Sequence, residues 1–93
     1  MIETFASEET EKIYNCERSR KLPVDIQRVA RRKLVYLNDA ENLRDIRAVP
    51  GNRFEELKGN RAGQFSIRIN DQWRICFNWV ANNARNVEIV DYH

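Results

Sequence analysis

The stretch that decides the fold is Gln64-Phe65-Ser66-Ile67-Arg68-Ile69-Asn70-Asp71-Gln72-Trp73-Arg74-Ile75-Cys76-Phe77-Asn78-Trp79. Apolar and polar residues alternate on both sides of its central polar segment, residues 70–72. Such alternation is typical of half-buried β-strands, in which successive side chains point to opposite faces. The stretch therefore predicts a β-hairpin with one apolar face and one polar face.

The length of the connecting loop decides which residues of the hairpin face each other. A two-residue turn would pair Ile67 with Arg74, so that apolar side chains would oppose polar ones on both faces. A three-residue loop over residues 70–72 instead pairs Ile67 with Ile75. We therefore predict the three-residue loop, which places Arg68 directly opposite Arg74.

The opposed pair Arg68 and Arg74 needs compensation, because like charges facing each other across two strands destabilise a sheet. Either flanking carboxylates or an external anion could supply it. The candidate carboxylates are Glu55, Glu56 and Glu88. Further cations occur nearby in the sequence at Arg53, Lys58 and Arg61. These cations favour phosphate as the partner of the arginine pair.

The first half of the chain predicts a short strand followed by helices. The strand covers Ile2 to Phe5, and Ser7 is a candidate N-cap for a helix that ends near Asn15. Pro23 then opens a second helix, since proline is tolerated in the first turn. Its apolar residues recur at helical spacing, at Ile26, Val29, Ala30, Leu34 and Leu37.

A shorter helical piece is expected from Ala40 to Ile46, capped by Asp39 and closed by Pro50-Gly51. Another strand is expected from Arg53 to Leu57, and a last one ends on the final residues. The fold class is therefore α+β. An N-terminal strand and two helices pack on one face of a small, mainly antiparallel sheet, in a single domain over residues 1–93.

Composition limits the functional classes. Hydrophobic residues make up 42% of the 93 residues and charged residues 32%, which is typical of a soluble globular chain. No apolar run approaches the ~20 residues of a membrane-spanning helix, and no signal peptide is recognisable, so we expect a cytoplasmic protein. Cys16 and Cys76 are then expected to be free thiols, with too few Cys and His for a structural zinc site. We expect no cofactor and no metal.

Charge is distributed unevenly along the chain. Residues 1–17 contain five Glu and one Lys, whereas residues 18–93 contain fifteen Lys and Arg against nine Asp and Glu. Twelve of the sixteen cations are arginine, whose planar guanidinium suits bidentate contact with phosphate. This balance is compatible with an anionic partner and equally with a solvated charged surface.

Several segments of the C-terminal half resemble a known family. They are Pro50-Gly51-Asn52-Arg53, Leu57-Lys58-Gly59, Ser66-Ile67-Arg68-Ile69-Asn70, Trp73-Arg74-Ile75 and Val90-Asp91-Tyr92-His93. With the predicted element order, they are similar to the HigB branch of the RelE/ParE toxin superfamily, and most similar to GraT-type toxins. The resemblance implies a RelE-like fold and a toxin that cuts messenger RNA at the ribosomal A site. It also implies a HigA-like helix-turn-helix antitoxin as partner, with operator DNA bound only through the antitoxin.

The resemblance also implies roles for individual residues. Arg74 and Arg68 would hold the scissile phosphate, and Lys58 would add a cation or a proton relay. His93 would be the acid or base near neutral pH, Tyr92 would stack on or orient a base, and Asp91 would orient His93. The catalytic set is thus His93, Tyr92, Asp91 and Arg74. The phosphate-binding set is Arg68, Lys58, Arg53 and Arg61.

Two features complicate this site. Some HigB toxins have a second histidine where this chain has Glu55, which could act as a base but would replace a histidine acid poorly. In a regular last strand Asp91 and His93 also share one face while Tyr92 points to the other. Either the strand bends or ends near Asp91, or one residue of the Tyr92-His93 pair is structural.

Two other functions fit the same residues. A ParE-like toxin would act on DNA gyrase without cutting RNA. A non-enzymatic module would bind ribosomal RNA or a protein through its basic surface, with an affinity that falls steeply with salt. The opposed arginines and the terminal Asp91-Tyr92-His93 favour the ribonuclease.

Overall fold

The computed structural model describes residues 1–91, which form a helical layer on a four-stranded sheet. The strands are β1 (Glu55–Glu56), β2 (Gln64–Arg68), β3 (Trp73–Val80) and β4 (Asn83–Asp91). They pair antiparallel in sequence order. The helices are α1 (Glu8–Tyr14), α2 (Val24–Asp39) and α3 (Leu43–Ala48). Two 3₁₀ turns cover Pro50–Asn52 and Gly59–Arg61. The expected α+β class is confirmed.

The predicted hairpin register is also confirmed. Ile67 lies opposite Ile75, and Arg68 lies opposite Arg74. The loop is held by the side chain of Asn70, whose Oδ1 accepts hydrogen bonds from the backbone N–H of Gln72 at 2.9 Å and of Trp73 at 2.8 Å. Burial of one apolar face and this local turn therefore select the same register.

The core lies between the helices and the apolar face of the sheet. Helix α2 contributes four buried residues on one side, Ile26, Ala30, Leu34 and Leu37. The sheet contributes Ile67, Ile69, Ile75, Phe77, Ala84, Val87 and Ile89. All three helices pack on this face, because α1 adds Ile13 and α3 adds Ile46 to the same cluster. The opposite face of the sheet is thus left for polar side chains.

Helix α1 begins as the sequence predicts and is attached to the sheet by a buried hydrogen bond. The Ser7 side chain accepts from the Thr10 N–H at 3.4 Å, which caps the helix. The Thr10 hydroxyl in turn accepts from the Ile89 N–H of β4 at 3.0 Å, and Thr10 is fully buried. Since a buried backbone N–H needs an acceptor, this contact fixes α1 against β4.

Two predicted boundaries are wrong. Asn42, not Asp39, caps the third helix, because its side chain accepts from the Asp45 N–H at 3.0 Å. The strand expected from Arg53 to Leu57 is shortened to β1. Arg53 has φ 43° and ψ 53°, a left-handed conformation that cannot continue an extended strand.

The N-terminal strand is reduced to two isolated bridges, which run parallel to β4. Ile2 pairs with Ala84 and Phe5 pairs with Val87. Between these pairs β4 has an irregular register and Asn86 has a positive φ of 53°, as in a β-bulge. The bulge interrupts the ladder, so a continuous strand does not form. No helix among the described residues is long and apolar enough to cross a membrane.

Candidate active site

The open face of the sheet carries polar side chains in rows. One row, running across all four strands, consists of Glu55, Ser66, Cys76 and Glu88. The next row contains Arg68 of β2, Arg74 of β3 and Val90 of β4. The two arginines therefore lie side by side on the face that the helices leave uncovered. We call Arg68 and Arg74 the arginine pair.

Arg74 is held in place by acceptors of the protein. Its Nε donates to the Ser66 hydroxyl at 2.8 Å, and its Nη2 donates to the Ser66 carbonyl at 3.3 Å and to the Arg53 carbonyl. The Nη1 atom lies 4.0 Å from Glu55 Oε1. Arg74 is only 7% exposed. Its guanidinium is therefore preorganised, with its orientation set before any ligand arrives.

Arg68 has a much more open environment. Its side chain is 32% exposed, and its Nη2 lies 2.6 Å from Oδ1 of Asp71, which is 99% exposed. The hydrogen bond from Arg68, helped by its charge and that of Arg53, lowers the pKa of Asp71 below its ordinary value of 3.8. An ion pair this exposed is screened by water and is easily exchanged. Arg68 is therefore accessible to other anions.

The expected carboxylate partners are divided between different cations. Glu55 lies near Arg74, as the sequence predicts. Glu88 instead pairs with Arg61 at 3.3 Å. Glu56 lies opposite Phe65, on the face that packs against the helices. Asp71, which the sequence did not single out as a carboxylate partner, is the one that contacts Arg68.

The remaining predicted cations differ in how they are held. Arg61 lies across the open face, because its Nη1 donates to Gln64 Oε1 at 2.9 Å and its Nη2 to Glu88 Oε1 at 3.3 Å. Lys58 is exposed just before the Gly59–Arg61 turn. The Arg53 side chain is exposed while its carbonyl serves Arg74. The structure thus brings Arg53, Arg68 and Arg74 together.

Lys33 of α2 is a cation near this site that sequence reasoning missed. Its Nζ donates to Asn52 Oδ1 at 3.1 Å and to the Gly51 carbonyl at 3.4 Å. Burial, followed by repulsion from Arg32, Arg68 and Arg74, lowers the pKa of Lys33 below its ordinary value of 10.5. Its sequence position, in the middle of a basic helix face, carried no signal, because the contact depends on how α2 and the Pro50–Asn52 turn pack together. Ser66 was likewise missed as a ligand of Arg74.

Asp91 lies at the end of β4, opposite Trp73. Strand alternation therefore places it on the helix-side face, whereas Val90 is the residue opposite Arg74. Its Oδ2 accepts from Gln72 Nε2 at 3.0 Å. The predicted roles of Tyr92 and His93 lie outside the described residues.

A four-stranded antiparallel sheet with helices packed on one face is the α+β fold of RelE-like toxins. The heterotetrameric YoeB–YefM toxin–antitoxin complex of Staphylococcus aureus includes a chain with this fold, with a TM-score of 0.61. The match covers 100% of this chain and 98% of that chain at 18% identity. YafQ of E. coli matches with a TM-score of 0.56 at 10% identity, over 98% of this chain and 93% of that chain. Identities this low show the fold alone.

The chain belongs to the HigB-like toxin family, the RelE-like toxins of the HigB type II toxin–antitoxin system, whose family model matches residues 3–93. It is also 46% identical over 70 residues to Toxin HigB-1 of Vibrio cholerae serotype O1, covering 75% of this chain and 74% of that protein. It is therefore a toxin of a type II system, within the RelE-like mRNA interferase family. Its closeness to GraT-type members stays a prediction.

Proposed function

We propose that this toxin is a ribosome-dependent endoribonuclease that cuts messenger RNA in the ribosomal A site without a metal ion. The observation that carries the proposal is the arginine pair, in which a fixed, buried guanidinium lies beside a second arginine whose side chain is 32% exposed. Such an arrangement suits a phosphodiester, whose charge grows during cleavage. Membership of the RelE-like toxins, which are endoribonucleases, supports a ribonuclease.

The reaction uses the RNA as its own nucleophile. A base removes the proton of the 2′-hydroxyl, and the 2′-oxygen forms a bond to the adjacent phosphorus. The bond between phosphorus and the 5′-oxygen breaks, and an acid protonates that oxygen. The products are a 2′,3′-cyclic phosphate and a 5′-hydroxyl. Because the nucleophile belongs to the substrate, the protein has to supply a base, an acid and hydrogen-bond donors for the phosphorane.

The described residues can supply the charge stabilisation. Arg68 would release Asp71 and bind the scissile phosphate, while Arg74, held by Ser66 and the Arg53 carbonyl, would donate to the phosphorane oxygens. The exposed Lys58 would contact a neighbouring phosphate. The Arg53 and Arg61 side chains extend the same basic face. This division gives Arg68 a role in binding and Arg74 a role in the transition state.

Proton transfer would fall to residues around the end of β4 and to Glu55. In this proposal His93 is the acid for the 5′-oxygen, and Asp91 sets the orientation of His93. Tyr92 orients a nucleobase of the RNA. Glu55, whose carboxylate is exposed near Arg74, is a candidate base for the 2′-hydroxyl.

The proposal includes the partners of a cytoplasmic type II toxin. An antitoxin partner is supported by the toxin–antitoxin complex among the solved structures that share the fold. We propose that this antitoxin is a HigA-like helix-turn-helix protein and that operator DNA is bound only through it. The targets are the ribosome and its messenger RNA. Residues 1–93 would act as one toxin domain.

The test is to induce the toxin in cells and to map the 5′-ends of their RNA. Wild type is expected to arrest growth and to create new 5′-hydroxyl ends within translated codons. Arg68→Ala is expected to abolish both effects. Arg85→Ala is the matched control, because Arg85 is also an exposed, paired arginine of the sheet but contacts Glu3. Growth arrest without new 5′-hydroxyl ends, together with inhibition of purified gyrase, would contradict the proposal. It would show instead a ParE-like toxin that acts on DNA gyrase.

The terminal residues are tested separately. His93→Ala is expected to abolish growth arrest while leaving the melting temperature nearly unchanged. Removal of Tyr92 and His93 together is expected to do the same. A truncated protein that remained fully toxic would show that neither residue takes part in the chemistry, and the proton-transfer scheme would then need another acid.

A further inference from the structure

A second concave feature lies beside the arginine pair, between α2 and the Pro50–Asn52 turn. It is a cleft of about 300 Å³, lined by Arg32, Lys33, Tyr36, Val49 and Asn52. This volume is at the lower end of small-ligand pockets, which start at about 300 Å³. No acidic residue is among those that line it. The cleft is therefore suited to a small ligand that carries a negatively charged group.

The Pro50–Asn52 turn joins this cleft to the arginine pair. On one side of the turn, Gly51 and Asn52 accept hydrogen bonds from Lys33. On the other side, the carbonyl of the next residue, Arg53, accepts from Arg74. The two sites are thus separated by a few residues of backbone. Their cations are close enough to repel each other, as the effect of Arg68 and Arg74 on Lys33 shows.

The polar end of the cleft is rigid. Asn52 is 2% exposed, and its two polar atoms are both used, since Nδ2 donates to the Ile46 carbonyl at 3.1 Å while Oδ1 accepts from Lys33. These contacts fix the Lys33 ammonium at a defined position. An ammonium held in this way can still donate a further hydrogen bond, because it has three donors.

The other end of the cleft is aromatic and apolar. The Tyr36 hydroxyl donates to the Asp45 carbonyl at 3.1 Å, which restrains the ring. Val49 is 40% exposed, one of only four large hydrophobic side chains that are exposed among residues 1–91. An aromatic ring and an exposed apolar side chain beside a fixed cation match the parts of a nucleotide, which has a flat base and a phosphate.

We propose that this cleft is a nucleotide subsite, which takes one unpaired RNA nucleotide adjacent to the phosphate held by the arginine pair. Tyr36 and Val49 contact the base, and Lys33 and Arg32 contact its phosphate. The proposal rests on the proposed function, because it assigns part of the same RNA substrate. It extends the site across the turn, from the open face of the sheet to the side of α2.

The test is an NMR titration of the ¹⁵N-labelled toxin with a 2′-O-methyl RNA trinucleotide, which cannot be cleaved, and with a mononucleotide. The trinucleotide is expected to shift the amide signals of Lys33, Val49 and Asn52 as well as Arg68. It should also bind about tenfold more tightly than the mononucleotide, since stacking of one base on a protein side chain contributes that much.

Val49→Asp is expected to remove this tenfold gain, so that the trinucleotide binds the variant no more tightly than the mononucleotide binds the wild-type toxin. The matched control is Val80→Asp, which adds the same charge at a valine that is 48% exposed, at the far end of β3. Tyr36→Ala is a second variant that should weaken trinucleotide binding. Its folding is checked by the amide spectrum before titration.

Three outcomes would overturn the subsite. The trinucleotide could shift only signals around the arginine pair; Val49→Asp could bind it as tightly as Val80→Asp does; or an acidic peptide, and not the trinucleotide, could shift the cleft signals. Cleavage of message on translating ribosomes is measured separately with the wild-type toxin. Absence of cleavage would overturn the proposed function, whereas normal cleavage with an empty cleft would overturn only the subsite.

Discussion

Arg68 and Arg74 face each other across β2 and β3, yet Arg74 is 7% exposed whereas the Arg68 side chain is 32% exposed. We therefore expect different results from removing each one. Arg74→Ala leaves the Ser66 hydroxyl and the Arg53 carbonyl without their donor, and should lower the free energy of unfolding by about 1–3 kcal/mol. Arg68→Ala should leave stability nearly unchanged, because its partner is in water.

Urea unfolding of the two variants measures this difference, with Arg85→Ala as the control for loss of one exposed arginine. Equal destabilisation by Arg68→Ala and Arg74→Ala would mean that the contacts of Arg74 contribute nothing beyond its charge.

Loss of the buried hydrogen bond from the Ile89 N–H to the Thr10 hydroxyl should destabilise the fold more than loss of a similar exposed bond. Thr10→Val keeps the shape of the side chain but leaves the buried Ile89 N–H without an acceptor, so it should lower the free energy of unfolding by about 1–3 kcal/mol. Thr4→Val is the matched control, since Thr4 also accepts from a backbone N–H of β4, that of Asn86 at 2.9 Å, but at an exposed position. Water can replace that acceptor. If both variants unfold at the same urea concentration, burial of the Thr10 bond is not what matters.

Lys33 predicts a pH dependence of stability. Burial and neighbouring arginines lower its pKa in the folded chain below 10.5, so the unfolded chain binds more protons between that lowered pKa and 10.5. Stability therefore rises with pH across this window. Lys33→Met should remove the rise. The free energy of unfolding is measured for wild type and Lys33→Met at neutral pH and at about pH 10. The difference between the two proteins at each pH cancels the contribution of other groups that titrate in this range, because both proteins contain them. A constant difference would contradict the prediction.

The two cysteines should react at very different rates. Cys76 is fully buried, and burial raises the pKa of its thiol above 9.0, so little reactive thiolate forms. Cys16 is exposed. Brief treatment of the native toxin with iodoacetamide should therefore add one group, at Cys16, whereas treatment in denaturant should add two. Peptide mass spectrometry locates the groups. Rapid native modification of Cys76 would show that the open face unfolds locally.

The turn between β3 and β4 is strained at Ala81. Ala81 and Asn82 have φ values of 51° and 63°, as in a two-residue hairpin turn that favours glycine. Ala81→Gly should therefore raise the free energy of unfolding by up to about 1 kcal/mol. Ala48→Gly is the same substitution at the last, exposed residue of α3, where φ is not positive, so it relieves no strain and should lower the free energy of unfolding by up to about 0.5 kcal/mol. Thermal melts that shift in the same direction for both variants would contradict this explanation.

The hairpin could be predicted from sequence because one criterion, burial of alternate side chains, decides its register. The arginine pair followed directly, since pairing Ile67 with Ile75 leaves no other position for Arg68 and Arg74. The second helix was predictable for a similar reason, as its buried residues recur every three or four positions. Each of these features depends on a repeated local pattern.

The features that sequence missed depend on contacts between distant segments. The left-handed conformation of Arg53 has no sequence signal, because glycine or asparagine would be the usual residue there. Lys33 looks like any cation of a basic helix until the Pro50–Asn52 turn packs beside it. The N-terminal strand was overestimated, because the bulge in β4 that interrupts its pairing is visible only in the folded sheet. The cap at Asn42 was missed because Asp39 is an equally good capping residue.

The pairing of the N-terminal segment with β4 has a consequence for the order of folding. Glu3 and Thr4 contact Arg85 and Asn86 across a separation of 82 residues, so these contacts close a loop that contains most of the chain. Closing so long a loop before the sheet exists would cost entropy without compensation, whereas the hairpins of β2, β3 and β4 are local. We therefore expect the arginine pair to assemble within the hairpins and the N-terminal segment to dock afterwards. A nascent chain cannot complete its fold until β4 has been synthesised.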